Sequence, residues 1–429
     1  MQKYTESSKV NPYEVGENVD YDKLISEFGC QKIQQEMIDK IERLTGKKCH
    51  HFLRRGIFFS HRDLDIILNK YERGVPFYLY TGRGPSSESM HLGHLMPFLF
   101  TKYLQEAFNV PLVIQLTDDE KFFHKGDFSL EKYQKLAIEN AKDIIACGFN
   151  LDQTFIFRDT DYMGQMYPNV CKIQKAITYN QLKGIFGVSP SDNCGKFAYP
   201  AVQAAPSLST SFPHIFGKRN VLCLIPQGID QDPYFRMTRD VQYKLKVPKC
   251  CCIHSKFFPA LQGFQTKMGS SNPNSAIFLT DTPKQIADKI NKYAFSGGRA
   301  TKEEQEKLGA DLNVDIPYHY LRFFMEDDER LEQIRIDYGT GKMLSSKVKQ
   351  ELIKILTDLV LSHQVSRKNV TDEIVYNYMK VRPINVNIPP TLINDPLPED
   401  TTNNQIQKGT QQKNKKDQEK DKVKNNQEK

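Results

Sequence analysis

Residues 80–94 read YTGRGPSSESMHLGH, and this stretch decides the fold. A short apolar run ends at Tyr80, a glycine-rich turn follows, and a His-x-Gly-His pattern opens a predicted helix. Glycines let the backbone approach a ligand closely, and the unpaired N–H groups at a helix N-terminus stabilise phosphate charge. Gly93 leaves room for an adenine or a ribose, while His91 and His94 can donate hydrogen bonds to phosphate oxygens as charge develops on a leaving group. The stretch therefore predicts a nucleotide site between a strand and a helix.

Outward from this stretch, short apolar runs alternate with longer helical patterns between residues 76 and 254. This alternation is typical of parallel strands joined by crossover helices. The predicted strands are residues 77–80, 112–116, 155–157, 221–225 and 250–253, and the helices between them include residues 130–147 and 170–186. We expect a Rossmann-like, doubly wound α/β sheet, which binds ligands beyond the carboxyl ends of its strands.

Three segments flank this predicted catalytic domain of residues 72–282. Residues 1–71 form an irregular, partly helical N-terminal extension that is expected to pack on the catalytic domain, with helices at 20–28 and 32–44. Residues 283–385 lack strand candidates and predict a helical C-terminal domain. Its apolar positions at helical spacing are Ile286, Ile290, Leu352, Ile355, Leu356, Leu359 and Val360. Residues 386–429 end in a lysine-rich tail that is too polar to order itself, and both a solvated tail and an RNA tether stay open.

The net charge of +7 at 429 residues suggests a nucleic-acid partner, but its location matters more than its size. Residues 401–429 carry eight lysines and four acidic residues, so most of the excess lies in the tail. No stretch approaches the roughly 20 apolar residues that cross a bilayer, and the N-terminus has no apolar leader. The nine cysteines are therefore expected to be reduced thiols in a soluble, cytoplasmic protein without a membrane partner.

A second motif, residues 266–273, reads TKMGSSNP and directly follows the last predicted strand. A lysine followed by small and hydroxyl residues suits a mobile loop that closes on a triphosphate. Lys267 would neutralise charge, and Ser270 and Ser271 would donate hydrogen bonds. The order of the two motifs, His-x-Gly-His after the first strand and Lys-Met-x-x-Ser after the sheet, is far more specific than either motif alone.

Metal binding is the main alternative for the histidines and for three consecutive cysteines at residues 250–252. No glutamate or cysteine at helical spacing completes a zinc-protease set around His91 and His94. Residues 250–252 lie near His254, but neighbouring side chains of a strand point to opposite faces and cannot share one ion without distortion. We expect core packing for the cysteines and no tightly bound metal.

The two motifs resemble the HIGH and KMSKS signatures of the class I aminoacyl-tRNA synthetases. Residues 10–382 are similar as a whole to the eukaryotic and archaeal tryptophanyl branch of that family. The similar stretches include HHFLRRGIFFSHRDL, YTGRGPSSESMHLGH, TDDEK, NAKDIIACGF, QAAPS, IDQDPYFRMTRD and FPALQGFQTKM. The resemblance implies that the chain activates L-tryptophan with ATP, releases pyrophosphate and charges tRNA(Trp). It also implies a homodimer whose helical domain binds the anticodon, and Mg²⁺ that arrives with ATP, held mainly by phosphate oxygens.

The resemblance further implies roles for individual residues. Tryptophan would be bound by Tyr80 and Gln115 at the indole N–H, by Thr117 on the same strand end as Gln115, and by Glu120, Gln203 and Gln231 around the ammonium. ATP would be bound by Arg83, His91, Gly93, His94, Gly228, Asp230, Lys267 and Met268. Catalysis would rest on charge stabilisation by His91, His94, Lys267, Ser270 and Ser271, since phosphoryl chemistry needs no protein nucleophile.

Several of these residues have a second interpretation. Gln203 suits a helix-surface amide, and Asp230 suits the N-cap of a helix that starts near Pro233. Gly269 replaces a serine that relatives usually carry in the mobile loop. Arg299 is a weak candidate for tRNA contact because Ala300 replaces the acidic residue expected beside it.

Two other functions stay open at the level of the whole chain. A tyrosine-specific synthetase shares the fold and both motifs, although the quoted stretches favour tryptophan. A catalytically silent RNA-binding or signalling protein on the same scaffold would be expected to lose motif residues. His91, Gly93, His94 and Lys267 are all present.

Overall fold

The predicted strands lie in a seven-stranded sheet in the computed structural model, which describes residues 12, 19–124, 128–264, 268 and 272–386. The strands are β1 (Gln31–Lys32), β2 (Phe58–Arg62), β3 (Phe77–Arg83), β4 (Leu112–Leu116), β5 (Thr154–Arg158), β6 (Leu222–Gly228) and β7 (Cys251–Ser255). Their order is β1-β2-β7-β6-β3-β4-β5. Strands β3 to β7 pair in parallel, whereas β1 and β2 are antiparallel additions beside β7. The five predicted strands and the doubly wound α/β fold are confirmed.

Helices cover both faces of this sheet and continue after it. Those up to the last strand are α1 (Tyr21–Phe28), α2 (Gln35–Thr45), α3 (His51–Arg54), α4 (Leu64–Glu72), α5 (Leu92–Phe108), α6 (Asp118–His124), α7 (Leu130–Ala146), α8 (Asp159–Ala176), α9 (Tyr179–Phe186), α10 (Cys194–Ala204), α11 (Pro213–Phe216) and α12 (Asp232–Leu245). Those after it are α13 (Pro283–Tyr293), α14 (Lys302–Leu308), α15 (Ile316–Phe324), α16 (Asp328–Gly339), α17 (Ser345–Lys368) and α18 (Asp372–Met379). Short 3₁₀ turns lie at Leu151–Gln153, Ala205–Ser207, Ser209–Ser211 and Ile229–Gln231.

Of the two helices predicted between strands, one is confirmed and one is wrong. The predicted helix at residues 130–147 is confirmed as α7. The predicted single helix at residues 170–186 is wrong, because α8 ends at Ala176 and α9 begins at Tyr179. Thr178 and Gln181 form a capping box, in which each side chain accepts a hydrogen bond from the other residue's backbone N–H. This local cap stabilises a new helix start that the apolar periodicity does not reveal.

The N-terminal extension contributes strand β2, which the sequence does not predict. All five residues of β2 are buried, and the strand pairs with β7. His61 and Arg62 give the segment a polar pattern that hides the strand. Inside the fold their polar groups have partners: His61 Nδ1 accepts from the Leu64 N–H at 3.2 Å, and Arg62 Nε donates to Asp232 at 2.6 Å. The extension is therefore less irregular than expected, although its two predicted helices match α1 and α2.

Two hydrophobic cores lie on opposite faces of the sheet, and the three consecutive cysteines divide between them. Cys251 packs with Leu79 in one core, whereas Cys250 and Cys252 pack with Tyr80 in the other. All three thiols are buried. The alternation of side chains along β7 thus confirms the prediction of core packing.

Burial along α17 follows the predicted apolar stripe. Leu352, Leu356 and Val360 are fully buried, and Ile355 and Leu359 pack half-buried against the same core. All helices that the structure describes after β7 belong to this C-terminal part. The described residues up to 386 belong to one compact unit, and residues 390–429 lie outside the described residues. The domain limits at residues 71, 282 and 385 and the lysine-rich tail stay predictions.

Candidate active site

A cavity of about 930 Å³ opens at the carboxyl ends of β3 and β6. These neighbouring strands pair only as far as Leu79 and Leu224, although they run on to Arg83 and Gly228. Beyond that point each pairs only with its outer neighbour, β4 or β7. The crevice is the switch point of the doubly wound sheet, where this architecture binds ligands.

Most of the predicted site residues line this one cavity. They are Tyr80, Arg83, His91, Gly93, His94, Thr117, Glu120, Gln203, Gly228, Asp230, Gln231 and Met268. Gln115 does not line it but lies fully buried behind Tyr80. Lys267, Ser270 and Ser271 lie outside the described residues, as does Gly269.

The two histidines stand at the start of α5. Their rings stack, with centroids 3.5 Å apart and an interplanar angle of 23°. Burial, with a smaller contribution from the charge of Arg83, lowers the pKa of His91 to about 3 and the pKa of His94 well below its usual range. Both Nδ1 atoms are buried without a hydrogen-bond partner among the described residues. At neutral pH each ring is therefore uncharged and offers one N–H donor and one acceptor to a ligand.

Arg83 supplies the charge that the histidines lack. Its Nε donates to Asn140 Oδ1 at 3.1 Å, which orients the guanidinium from helix α7. Burial lowers the pKa of Arg83 to about 10, while the charges of Glu120 and Asp143 act to raise it. The group therefore stays cationic at neutral pH. Its Nη2 is buried and has no partner in the part of the chain that the structure describes, so it is a ready donor for a phosphate oxygen.

Gly93 packs tightly between the histidine motif and the second motif. A Cβ added at Gly93 would lie 3.2 Å from the His91 ring and 3.2 Å from Met268 Sδ. These contacts are closer than ordinary van der Waals distances, so a side chain would displace the ring or the thioether. Met268, a described residue within the Lys-Met-x-x-Ser motif, thus reaches the start of α5 across the cavity.

Tyr80 lines the cavity and forms a buried hydrogen-bonded pair with Gln115 behind it. The Tyr80 hydroxyl lies 2.5 Å from Gln115 Oε1 and 2.8 Å from the Gln203 carbonyl oxygen, and it can donate to either. It also accepts from Gln203 Nε2 at 2.8 Å. Gln203 is half-buried within this network and lines the cavity, so it is more than a surface amide of α10.

A buried acid fixes the orientation of Gln115. Gln115 Nε2 donates to Asp159 Oδ1 at 2.7 Å, so its oxygen must face Tyr80. Burial, reinforced by the charge of Asp119, raises the pKa of Asp159 well above its usual range, and burial also raises the pKa of Asp119 to about 6. Sequence reasoning missed both roles. The TDDEK stretch contains Asp119, but nothing local indicates that Asp159 lies behind Gln115.

A carboxylate, Glu120, and a cation, Lys121, lie next to each other just after the end of β4. Glu120 Oε2 lies 2.7 Å from Lys121 Nζ, and both residues line the cavity. The Thr117 N–H donates to the Arg83 carbonyl at 3.0 Å, which fixes the two strand ends against each other. Sequence reasoning missed Lys121, although it directly follows Glu120. A Cβ at Gly84 would lie only 2.7 Å from Lys121 Cε, so Gly84 keeps space for this lysine.

Residues 228–231, at the end of β6, include Gly228 and Asp230, two of the predicted ATP-binding residues. Asp230 Oδ2 accepts from Gln231 Nε2 at 2.7 Å, and a Cβ at Gly228 would lie 2.4 Å from Asp230 Oδ1. The alternative interpretation of Asp230 as a helix N-cap is wrong. Helix α12 has Gln231 as its N-cap residue, without a side-chain capping bond, and Asp230 lies in the preceding 3₁₀ turn.

Behind the cavity wall, Asp232 anchors the start of α12. Ligand atoms of Cys30, Asp232 and His254 lie within 4.8 Å of one another, a spacing that could hold a metal ion. The Asp232 carboxylate is already paired with a guanidinium, because Arg62 donates to it from Nε at 2.6 Å and from Nη2 at 2.7 Å. His254 Nε2 lies 3.0 Å from the same Asp232 Oδ1. We therefore interpret this cluster as a structural ion pair that joins β2, β7 and α12.

The start of α1 also lines the cavity, a contribution that the sequence does not indicate. Val19, Asp20 and Tyr21 belong to the lining, and the Tyr21 hydroxyl accepts from the Phe257 N–H at 3.0 Å. Arg299 is exposed in the segment between α13 and α14, outside the cavity lining, and donates to the Gly309 carbonyl at 2.8 Å. No helix in the described part of the chain combines the length and the apolar content that a bilayer crossing requires.

The sequence of residues 72–360 matches the model of the class I tRNA synthetases of the W and Y group. The chain belongs to this family. It is 59% identical over 385 residues to the cytoplasmic tryptophan–tRNA ligase of Homo sapiens, covering 88% of this chain and 82% of that protein. Identity to the cytoplasmic tryptophan–tRNA ligase of Arabidopsis thaliana is 58%, covering 87% and 94% of the two chains. The crystal structure of Plasmodium falciparum tryptophanyl-tRNA synthetase is similar with a TM-score of 0.80 and 54% identity, covering 85% of this synthetase and 95% of that chain.

Proposed function

We propose that this synthetase is a tryptophan–tRNA ligase. It joins the carboxylate of L-tryptophan to the α-phosphate of ATP, releases pyrophosphate, and passes the acyl group from the adenylate to the 3′ end of tRNA(Trp). The observation that carries this proposal is the cavity at the switch point, which is lined by Tyr80, with Gln115 bonded behind it, by Arg83 and by a histidine pair at the start of α5. The high identity to tryptophan–tRNA ligases over most of both chains supports the choice of amino acid.

The indole is bound beside Tyr80. Its N–H donates to the Tyr80 hydroxyl, where it takes the place of Gln203 Nε2, and the hydroxyl in turn donates to Gln115 Oε1, the second implied acceptor, which lies behind it. The orientation of Gln115 supports this role, because Asp159 holds its amide nitrogen on the far side and directs its oxygen towards Tyr80. A buried acceptor rejects ligands that leave it unpaired, so this pair supplies specificity as well as affinity.

The polar end of tryptophan lies among Thr117, Glu120, Gln203 and Gln231. Glu120 supplies the negative charge opposite the ammonium, and the amides supply neutral acceptors and donors. Glu120 is paired with Lys121 within the cavity lining. Lys121 can therefore stabilise the incoming phosphate while its neighbour binds the amino acid.

ATP lies along the start of α5, with its ribose at Gly228 and Asp230. Arg83 and the N–H groups of His91 and His94 donate to phosphate oxygens as charge moves onto pyrophosphate, and Gly93 and Met268 border the nucleoside. Lys267, Ser270 and Ser271 add charge and hydrogen bonds from the loop. No protein nucleophile is needed, because positioning and charge stabilisation carry phosphoryl transfer. Mg²⁺ arrives with ATP as part of this substrate.

The remaining expectations concern assembly and location. Residues 283–385 would bind the anticodon, with Arg299 as a candidate contact, and a homodimer would present one tRNA to both subunits. The human and Arabidopsis relatives are named cytoplasmic enzymes, which supports a cytoplasmic location. Sedimentation at assay concentrations tests the dimer, and an active monomer would contradict it.

Exchange of labelled pyrophosphate into ATP, measured with each standard amino acid in turn, tests the function. We expect exchange with tryptophan alone. Equal or greater exchange with tyrosine would show a tyrosine-specific enzyme, and no exchange with any amino acid would show a silent scaffold.

The composition provides an independent test of the pocket. The chain contains no tryptophan, so the substrate is the only indole in the complex. Bound tryptophan beside Tyr80 should emit at shorter wavelength and with raised anisotropy, because its ring is fixed in an apolar slot. Unchanged emission and anisotropy at saturating protein would exclude this pocket.

A further inference from the structure

Gln227 occupies the crevice wall at the end of β6. Beyond Leu224 this strand pairs only with β7, where Gln227 stands opposite His254. Thr81 Oγ1 of β3 lies 3.4 Å from the Pro226 carbonyl, which fixes the distance between the two strands just before they separate. Gln227 lines the cavity at the point where the switch-point crevice begins.

The amide of Gln227 is buried and unpaired. The residue is 7% exposed, and neither Nε2 nor Oε1 has a hydrogen-bond partner among the described residues. Gln115 and Gln203, the other amides near Tyr80, use both side-chain atoms in hydrogen bonds. A buried donor and acceptor left without partners destabilise the fold. An amide that has no partner among the described residues and belongs to a residue lining a binding cavity is therefore expected to pair with a ligand.

The face of the sheet decides which part of the ligand Gln227 meets. Ile225, two residues earlier, belongs to the same hydrophobic core as Tyr80, and alternation places Gln227 on that face. Helix α5, which carries the histidine motif, packs through Leu92 against the opposite core. Gln227 therefore lies on the same side of the sheet as Tyr80, which is proposed to bind tryptophan. Helix α5, which is proposed to bind phosphate, lies on the opposite side.

An amide combines a donor and an acceptor at one point, and an α-amino acid carries an ammonium and a carboxylate on one carbon. We propose that Gln227 is a further amino-acid-binding residue, whose Oε1 accepts from the tryptophan ammonium and whose Nε2 donates to the carboxylate and then to the acyl oxygen of the adenylate. This inference rests on the proposed function. Gly82, at the end of β3, also lines the cavity, and a Cβ there would lie 3.2 Å from the Gln115 carbonyl oxygen and 3.9 Å from Gln203 Nε2.

The test replaces the amide with an apolar side chain of similar shape, Gln227→Met. We expect the KM for tryptophan in pyrophosphate exchange to rise about tenfold or more, because hydrogen bonds to charged groups are lost. The KM for ATP should change by less than about twofold. Gln153→Met is the matched control, since Gln153 bonds Asn109 outside the cavity lining, and both constants should stay unchanged.

Gln227→Glu distinguishes contact from a merely structural role, with tryptamine as a probe that carries the ammonium but no carboxylate. The added negative charge should weaken tryptophan binding and tighten inhibition by tryptamine, so the two constants move in opposite directions. The proposal would be overturned if the constants for tryptophan and tryptamine changed by the same factor in the same direction. It would also be overturned if the KM for ATP rose as much as the KM for tryptophan. If the wild-type enzyme shows no tryptophan-dependent exchange, the proposed function fails first. If wild type is active and both Gln227 variants match it, only this inference fails.

Discussion

Removal of one hydroxyl, Tyr80→Phe, isolates the proposed contact with the indole N–H. Tyr80 is 1% exposed, and its ring fills the same space in the variant. The oxygen is lost from a network in which Gln115 Oε1 lies at 2.5 Å and Gln203 Nε2 at 2.8 Å. In the free enzyme the variant leaves the fully buried Gln115 oxygen without its donor, whereas Gln203 borders the cavity and can bind water.

The expected effects on stability and on binding differ in size. An unpaired buried acceptor costs about 1–3 kcal/mol of unfolding free energy. Tryptophan binding should weaken by about 1 kcal/mol, the net value of one neutral hydrogen bond, which is roughly fivefold in the dissociation constant. A tryptophan analogue with sulfur in place of the indole N–H never makes this bond. Its affinity should therefore change little.

Tyr78→Phe is the matched control for this experiment. Tyr78 lies two residues earlier on β3, is fully buried, and donates to the Pro206 carbonyl at 2.8 Å, but it does not line the cavity. It should lose a similar free energy of unfolding without a change in ligand preference.

The assay is competitive binding of tryptophan and its sulfur analogue, with urea unfolding of the same samples. We expect the preference for tryptophan over the analogue to fall about fivefold in Tyr80→Phe and to stay unchanged in Tyr78→Phe. An unchanged preference in Tyr80→Phe would refute the assignment of its hydroxyl to the indole. An equal fall in both variants would show that general loosening of the strand, not the contact, sets the preference.

Three further predictions concern the structural ion pair, the histidines and the loop. Arg62→Met should lower the free energy of unfolding by about 3–5 kcal/mol, because it leaves the buried Asp232 carboxylate without its guanidinium and with His254 as its remaining partner. Urea unfolding should show partial recovery in Arg62→Met/Asp232→Leu, and a loss below about 1 kcal/mol in the single variant would contradict the pairing. Burial lowers the pKa of His91 to about 3 and the pKa of His94 well below its usual range, so both rings stay neutral in the folded state at pH values where free imidazoles protonate. Protonation therefore favours the unfolded state, and the free energy of unfolding falls as the pH drops below the ordinary histidine pKa. Ring NMR shifts should therefore stay at neutral values from pH 8 to pH 5, and a titration near pH 6.5 would contradict their burial. Lys267→Ala should slow single-turnover adenylate formation while tryptophan affinity stays the same, and unchanged kinetics would remove this lysine from the mechanism.

Local patterns in the sequence determine most of the fold and the nucleotide side of the cavity. The five parallel strands are short apolar runs between helical patterns, and each run carries its own signal. The histidine motif works in the same way, since Gly93, His91 and His94 are close in the chain as well as in space. The choice of tryptophan comes from long stretches of family resemblance and not from any single residue. The roles assigned to individual site residues stay predictions.

Only the tertiary structure decides which distant polar groups meet inside the protein. Strand β2 is hidden in the sequence by Arg62, which becomes buried because Asp232, 170 positions away, neutralises it. Asp159 orients Gln115, and Gln227, on the same side of the sheet as Tyr80, has no side-chain partner in the described part of the chain, at the point where β6 no longer pairs with β3. Neither position carries a local pattern, because burial and pairing of a polar side chain depend on its neighbours across the sheet. Sequence periodicity records the face on which a residue lies, whereas its partners are set by the packing of elements that are far apart in the chain.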